Sequence, residues 1–154
     1  MSATASIQHI LVPHDFSETA EKAFDFALDL ADKLGARLTV LHAYEIPTYA
    51  FPEGPVLTVE MMAQIERAAA TAIDGVISRA SRRSPGVKVK SELRQGAAWR
   101  EIDQAAIDLK ADLIVLGTHG RRGLARALLG SVAEKIVRTA ACPVLTVRGG
   151  EGAH

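Results

Sequence analysis

The sequence predicts an α/β protein built on one doubly wound sheet of five parallel strands. Short apolar runs alternate along the chain with longer segments in which apolar residues recur at helical spacing. The central runs are largely apolar, which is typical of parallel strands that helices cover on both faces. Five strands alternating with four helices are the pattern of a doubly wound sheet. The length of 154 residues corresponds to a single domain, residues 1–154.

The first half of the chain contains two predicted strands and two predicted helices. Residues 7–13 form the first strand, with an apolar centre that ends at Pro13. Ser17 is a suitable N-cap for a helix whose apolar spacing continues until Gly35, a suitable C′ residue. A second strand follows at 38–43. The next fourteen residues contain three prolines and a glycine, so they are expected to form a long irregular connection to a helix that begins near residue 58.

The second half of the chain supplies three more strands and two more helices. Residues 87–93 alternate between apolar and charged side chains, which indicates an edge strand with one solvated face. The other predicted elements are, in order, a helix after Gly96, a fully apolar strand at 113–116, a helix from Val132 and a strand at 143–147.

A glycine-rich segment joins the apolar strand at 113–116 to the last predicted helix. Glycine lets backbone N–H groups approach an anion closely, and a helix N-terminus adds unpaired donors and positive potential. The alternative is that these glycines only shape turns. Gly130-Ser131 directly before a helix favours a phosphate site. The residues concerned are Gly117, Gly120, Gly123 and Gly130, with Arg121, Arg122 and Arg126 among them.

Three residues, Gly117 among them, lie at the carboxyl ends of different predicted strands. Asp15, Ala43 and Gly117 follow or end the first, second and fourth strands. Ligands of doubly wound sheets bind outside the carboxyl ends of the strands, at the point where the strand order reverses. We therefore expect these residues to line one crevice, although they are far apart in the sequence.

The spacing of the glycines resembles the ATP-binding signature of the universal stress protein family. The signature consists of Gly117-x-x-Gly120, nine further residues and then Gly130-Ser131. Three other segments resemble family motifs in the same order, so that the resemblance covers nearly the whole chain. They read Pro13-His14-Asp15-Phe16-Ser17, Leu41-His42-Ala43 and Ala141-Cys142-Pro143-Val144-Leu145. The resemblance implies a Rossmann-like, flavodoxin-like sheet of order 3-2-1-4-5, with the crevice between strands 1 and 4.

The resemblance also implies a set of ligand contacts. ATP is expected with a magnesium or manganese ion, and Asp15 with the ribose or, through the phosphates, with that ion. The backbone of Ala43 is expected to hold the adenine, and Pro13 belongs to the same site through its motif. The backbone donors expected for the phosphates are those of Gly117, Gly120, Gly130, Ser131 and Val132, with Arg121 and Arg122 as weaker candidates. Homodimerisation is implied through the last strand, Val144–Val147.

Each of these residues also has an alternative interpretation. Asp15 could be a turn or capping residue, and Ser131 could cap a helix that begins at Val132. The arginines could be solvated loop charges. His119 is expected to form a structural hydrogen bond rather than to act in acid–base chemistry.

Two other classes of function stay open beside an ATP-binding stress sensor or regulator with slow or no hydrolysis. One is an interaction module that needs no nucleotide, and the other is a true ATP hydrolase or nucleotidyl transferase in the same crevice. Several known site types are excluded, because the chain contains no G-x-x-x-x-G-K-[ST], no G-x-S-x-G and no H-E-x-x-H, and no G-x-G-x-x-G after the first strand.

Composition limits partners and location. Eighteen basic and eighteen acidic side chains balance, which argues against a general affinity for nucleic acid or anionic membranes. A single cysteine, Cys142, cannot form an internal disulfide and fits a reducing compartment. Neither a signal peptide nor an apolar run of membrane-spanning length is evident, so a cytoplasmic protein is expected. Residues 149–154 are expected to form a flexible tail.

Overall fold

Strands and helices alternate strictly along the chain. The computed structural model describes residues 6–46, 57–119 and 129–149. Most of the predicted irregular connection and of the predicted tail lies outside these residues. The elements are β1 (His9–Pro13), α1 (Glu18–Leu34), β2 (Arg37–Tyr44), α2 (Val59–Arg83), β3 (Val89–Gln95), α3 (Ala98–Asp108), β4 (Leu113–Gly117), α4 (Ser131–Thr139) and β5 (Val144–Val147).

The five strands form one sheet in the order β3-β2-β1-β4-β5. Every neighbouring pair is parallel. The predicted fold class and strand order are therefore confirmed, and β3 is an edge strand as its alternating charges indicated. The chain winds outward from β1 to β3 in one direction and from β4 to β5 in the other. This reversal separates the connections that leave β1 and β4, so that a crevice opens at their carboxyl ends.

Apolar side chains cover both faces of the sheet. On β1, Ile10 and Val12 point to one face and Leu11 to the other, and all three are fully buried. Helices α1 and α2 pack on the first face, and α3 and α4 pack on the second. Burial on both faces explains why the central strands read as continuous apolar runs instead of alternating ones.

The ends of α1 follow the predicted capping pattern. The Ser17 hydroxyl accepts a hydrogen bond from the backbone N–H of Ala20 at 3.1 Å. Gly35 has a φ of 66°, in the left-handed region that favours glycine, and its N–H donates to the carbonyl of Ala31. Helix α1 is therefore defined at both ends by local sequence.

Two strands begin later than the sequence pattern indicated. β1 starts at His9 because the backbone N–H groups of Gln8 and His9 both donate to the Asp112 carboxylate, each at 2.9 Å. β3 starts at Val89 because the N–H of Val87 donates to the Ser84 carbonyl in a turn. In both cases backbone N–H groups at the start of the predicted strand donate outside the sheet.

Candidate functional site

A crevice of about 440 Å³ lies at the carboxyl ends of β1, β2 and β4. This volume falls within the range of small-molecule sites. The first turns of α3 and α4 form its other walls. The predicted site residues that it brings together are Pro13, Asp15, Ala43, Gly117, Gly130, Ser131 and Val132. Gly120 and Arg121, together with Arg122, Gly123 and Arg126, lie outside the described residues.

One side of the crevice is apolar. Its small side chains, Ala43 on β2 and Ala98 on α3, face the cavity beside Ile102. A planar, weakly polar ring suits such a surface because it can shed water there at little cost. Sequence reasoning did not assign Ala98 or Ile102 to the site. Neither residue belongs to a motif, so the only signal in the sequence was the helical periodicity of the segment after Gly96.

The N-terminus of α4 forms the polar end of the crevice. The first intrahelical bond runs from the N–H of Glu134 to the carbonyl of Gly130, at 2.9 Å. The N–H groups of Ser131, Val132 and Ala133 therefore have no acceptor within the helix. No side chain among the described residues caps this end, and all three residues line the crevice. Three such donors at the positive end of a helix dipole favour an anion.

The exact start of α4 changes two predictions. Ser131 is the first helical residue and Gly130 is the N-cap, so the alternative in which Ser131 caps a helix from Val132 is wrong. The N–H of Gly130 donates to the carbonyl of Thr118 at 2.5 Å, and the N–H of Thr118 donates to Val147 of β5. The N–H of Gly130 is thus already paired. Ala133, which the sequence did not single out, takes its place among the donors at the crevice.

Position 117 must be a glycine for a steric reason. A Cβ atom at this position would lie 2.6 Å from Cγ2 of Thr19 and 3.1 Å from the Thr19 backbone. Real Cβ atoms essentially never come this close to another atom. The glycine at the end of β4 is therefore required by the close approach of α1, whatever occupies the crevice.

The segment after β1 holds Asp15 at the crevice. Oδ1 of Asp15 accepts a hydrogen bond from the N–H of Ser17 at 3.0 Å, which is the geometry of an Asx-turn. Asp15 also lines the cavity. Asp15 is therefore both a turn residue and a residue that lines the crevice.

Two histidines, His14 and His119, line the crevice. His14 is only 3% exposed, and burial lowers the pKa of its imidazole below the usual range, while the Glu21 carboxylate opposes part of that shift. His119 lies across the crevice with its Nδ1 3.0 Å from the Thr118 hydroxyl, which is a structural hydrogen bond of the kind expected. In the part of the chain that is described, no three His, Cys, Asp or Glu side chains are grouped to hold a metal ion.

Comparisons with known proteins agree with this architecture. The model of the universal stress protein family matches residues 6–148. A universal stress protein of Thermus aquaticus is 40% identical over 144 residues, which cover 90% of this chain and 97% of the relative. The chain belongs to the universal stress protein family.

Solved universal stress proteins share the fold. The universal stress protein UspA of Lactobacillus plantarum superposes with a TM-score of 0.81 at 30% identity, covering 94% of this chain and all of the other. A universal stress protein solved in complex with cAMP superposes with a TM-score of 0.66 at 26% identity, covering 93% and 98% of the two chains. As a universal stress protein, the chain has a role in stress response at the level of the family. No helix within the described ranges is long and apolar enough to cross a membrane.

Proposed function

We propose that this universal stress protein binds ATP in the crevice between β1 and β4 and acts as a nucleotide-dependent sensor or regulator. The observation that carries the proposal is the start of α4, where three N–H groups without helical acceptors line a crevice of nucleotide size. A related universal stress protein in complex with cAMP supports an adenine nucleotide as the ligand class.

The crevice suggests an orientation for the nucleotide. The adenine would lie on the apolar side near the backbone of Ala43, and the phosphates would lie at Ser131, Val132 and Ala133. Asp15 would then face the ribose or a cation. Pro13 and Gly117 line the same crevice, and we retain Gly120 and Arg121 in the proposed site from the signature alone.

A divalent cation fits this arrangement through the nucleotide. Asp15 supplies one carboxylate, and magnesium and manganese both prefer oxygen ligands. The phosphate oxygens of ATP would complete the ligand set. Such a cation would neutralise phosphate charge, while Asp15 would fix its place relative to the ribose.

The donor assignment can be tested by deleting a single N–H group. Proline is tolerated in the first turn of a helix. Ser131→Pro removes the N–H of the first helical residue, and this N–H makes no hydrogen bond within the helix. The φ of −69° and ψ of 165° at Gly130 suit a residue that precedes proline. Ser131→Ala is the matched control because it removes the hydroxyl and keeps the N–H.

Calorimetric titration with ATP should separate the two variants. Ser131→Pro should weaken binding about tenfold or more, as expected for a hydrogen bond to a charged group. Ser131→Ala should weaken it by less. Equal affinity for ATP in both variants and the parent would show that the phosphates do not bind at the N-terminus of α4. A parent protein that binds no ATP would favour the nucleotide-independent interaction module instead.

We further propose that two copies pair through β5, as the family resemblance implies, and that the protein is cytoplasmic. β5 is an edge of the sheet, and all four of its residues are only half-buried. An edge strand with unpaired backbone groups and no charged side chain is a template for pairing with a second chain.

A further inference from the structure

His14 makes three hydrogen bonds, two to β2 and one to the turn after β1. Its backbone N–H donates to the carbonyl of Leu41 at 2.8 Å. Its carbonyl lies 2.8 Å from Nδ1 of His42, which must donate because a carbonyl only accepts. Its own ring nitrogen, Nδ1, accepts from the N–H of Phe16 at 2.9 Å. His14 thereby links β2 to the turn that carries Asp15.

That turn has a backbone conformation that needs support. Phe16 has a φ of 65°, in the left-handed region that bulky residues rarely adopt. The Phe16 ring lies between the rings of His14 and His42, with centroid distances of 5.2 Å and 4.5 Å. The hydrogen bond from Phe16 to His14 therefore supports a residue of uncommon backbone conformation next to Asp15.

We propose that His14 is a positioning residue of the nucleotide site, whose neutral ring holds the Asp15 turn in the shape that presents the carboxylate to the crevice. The proposal rests on the proposed function, since it assigns the turn a part in nucleotide binding. His14 itself acts through Phe16 and Asp15.

The hydrogen bonds determine which form of the ring does this. Nδ1 faces an N–H donor, so it must carry a lone pair, and the proton of the neutral ring lies on Nε2. Nε2 is 3.2 Å from Oε1 of Glu21 but is not aligned with it for a hydrogen bond. A second proton on the ring would place two donors against each other at Nδ1. The bond to Phe16 would break.

Protonation of His14 depends on charges from each element around it. Glu21 of α1 and Asp15 favour the charged ring, while Arg79 of α2 and His42 of β2 disfavour it. Burial is the largest influence and also disfavours it, so the pKa is lowered. The neutral ring therefore predominates at neutral pH, and the turn should loosen only as the solution becomes acidic.

Three substitutions separate the acceptor at Nδ1 from the bulk of the ring. His14→Asn places an amide oxygen near the position of Nδ1 and cannot titrate. His14→Gln has the same amide on a longer side chain, which reaches toward Nε2 and Glu21. His14→Leu fills the space without an acceptor. Circular dichroism and thermal unfolding of each variant show whether it is folded before binding is compared.

ATP affinity should follow the acceptor at Nδ1. At about pH 7.5, His14→Leu and His14→Gln should bind ATP about fivefold to tenfold more weakly than the parent, while His14→Asn should recover most of the affinity. Between about pH 7.5 and about pH 5.5 the parent should lose affinity relative to His14→Asn. The titration of ATP itself cancels in this ratio because it affects both proteins equally.

Hydrogen exchange of the Phe16 amide, measured by NMR without nucleotide, gives a second readout. Protection should be lost in His14→Leu and kept in His14→Asn. Equal protection in all variants, or equal ATP affinity in the parent and His14→Leu, would overturn the proposal. If the parent binds no ATP while Phe16 loses protection only in His14→Leu and His14→Gln, the proposed function fails and the role of His14 in the turn stands.

Discussion

At the scale of single residues, the packing of the fold depends both on positions that leave room for a neighbour and on buried side chains that bond to several elements. Gly117 admits Thr19 of α1 against the end of β4. His9, at the other end of the sheet, is 4% exposed and connects β1 to α3 and β2 through its two ring nitrogens. Both positions lead to a prediction about stability.

Gly117→Ala should lower the free energy of unfolding by about 1–3 kcal/mol, because the new methyl group would overlap Thr19. Urea unfolding of the parent and the variant measures this loss. Combining the change with Thr19→Ser should recover part of it, since the clashing Cγ2 is removed. Gly86→Ala is the matched control, because a Cβ there would meet no atom within 4 Å. A loss as large at Gly86 as at Gly117 would contradict the steric explanation.

Acidification should destabilise the protein partly through His9. Burial lowers the pKa of its imidazole below 6.5, so the unfolded chain binds a proton more readily than the folded one. The free energy of unfolding should therefore fall as the pH drops through 6.5 toward the lower pKa of the folded state. His9→Asn keeps an amide donor for the Leu109 carbonyl but does not titrate. Urea midpoints at about pH 7.5 and about pH 5.5 should differ less in this variant than in the parent.

At the scale of elements, the two edges of the sheet differ in charge. The N–H of Ile114 donates to the carbonyl of Pro143, and the N–H of Thr118 donates to that of Val147. Alternation along a parallel ladder then directs the backbone groups of Val144 and Thr146 away from β4. β5 carries no charged side chain, whereas β3 carries Lys90, Glu92 and Arg94. Of the two edges, we therefore expect β5 rather than β3 to pair with a second copy.

Thr146→Pro should favour monomers, because it removes an outward N–H from the proposed dimer edge without breaking the ladder to β4. Sedimentation velocity of the parent and the variant measures the change. Ser91→Pro is the matched control, since the bonds from Leu38 to Lys88 and from Gly96 to Tyr44 direct Ser91 outward at the β3 edge. A dimer that survives Thr146→Pro, or that is lost equally in Ser91→Pro, would move the interface elsewhere.

At the scale of the whole molecule, we expect the crevice to hold a nucleotide rather than to hydrolyse it quickly. Rapid hydrolysis needs a positioned water and a group to orient or deprotonate it. Residues 117–132 contain no Asp, Glu, Asn or Gln. Asp15 is engaged with Ser17, and Nδ1 of His119 lies beside the Thr118 hydroxyl. Donors at α4 that grip the ground state and the transition state alike strengthen binding without raising turnover.

Phosphate release from ATP should therefore stay well below the roughly 1 s⁻¹ low end of ordinary enzymes. A steady-state phosphate assay, with ATP binding measured on the same sample, tests this. Release at ordinary enzyme rates that is lost in His119→Ala would favour the hydrolase instead. The rate of phosphate release in His14→Asn is measured for comparison with His119→Ala, because His14 also lines the crevice but is assigned a positioning role and not a role in the chemistry.

Local sequence patterns alone determined which elements form and where α1 begins and ends. The apolar run at 113–116, the capping residues Ser17 and Gly35 and the charged alternation at 87–93 each act over a few neighbouring residues, so that strand, helix or edge follows from them directly. The strand order came from the family resemblance, and the grouping of Asp15, Ala43 and Gly117 came from the general rule for such sheets. The strand order and the position of the crevice were therefore also predictable from the sequence.

The tertiary structure alone decided which atoms in the crevice are available. The room that Gly117 leaves for Thr19, the pairing of the Gly130 N–H with Thr118 and the bond from the His14 N–H to Leu41 all join segments that are separate in the chain. Thr19 is remote from Gly117 in the chain, and Leu41 is remote from His14, so no local pattern in the sequence records these contacts. Such contacts exist only after the sheet has brought distant segments together, because close packing and hydrogen-bond geometry are properties of the assembled layers rather than of any one segment.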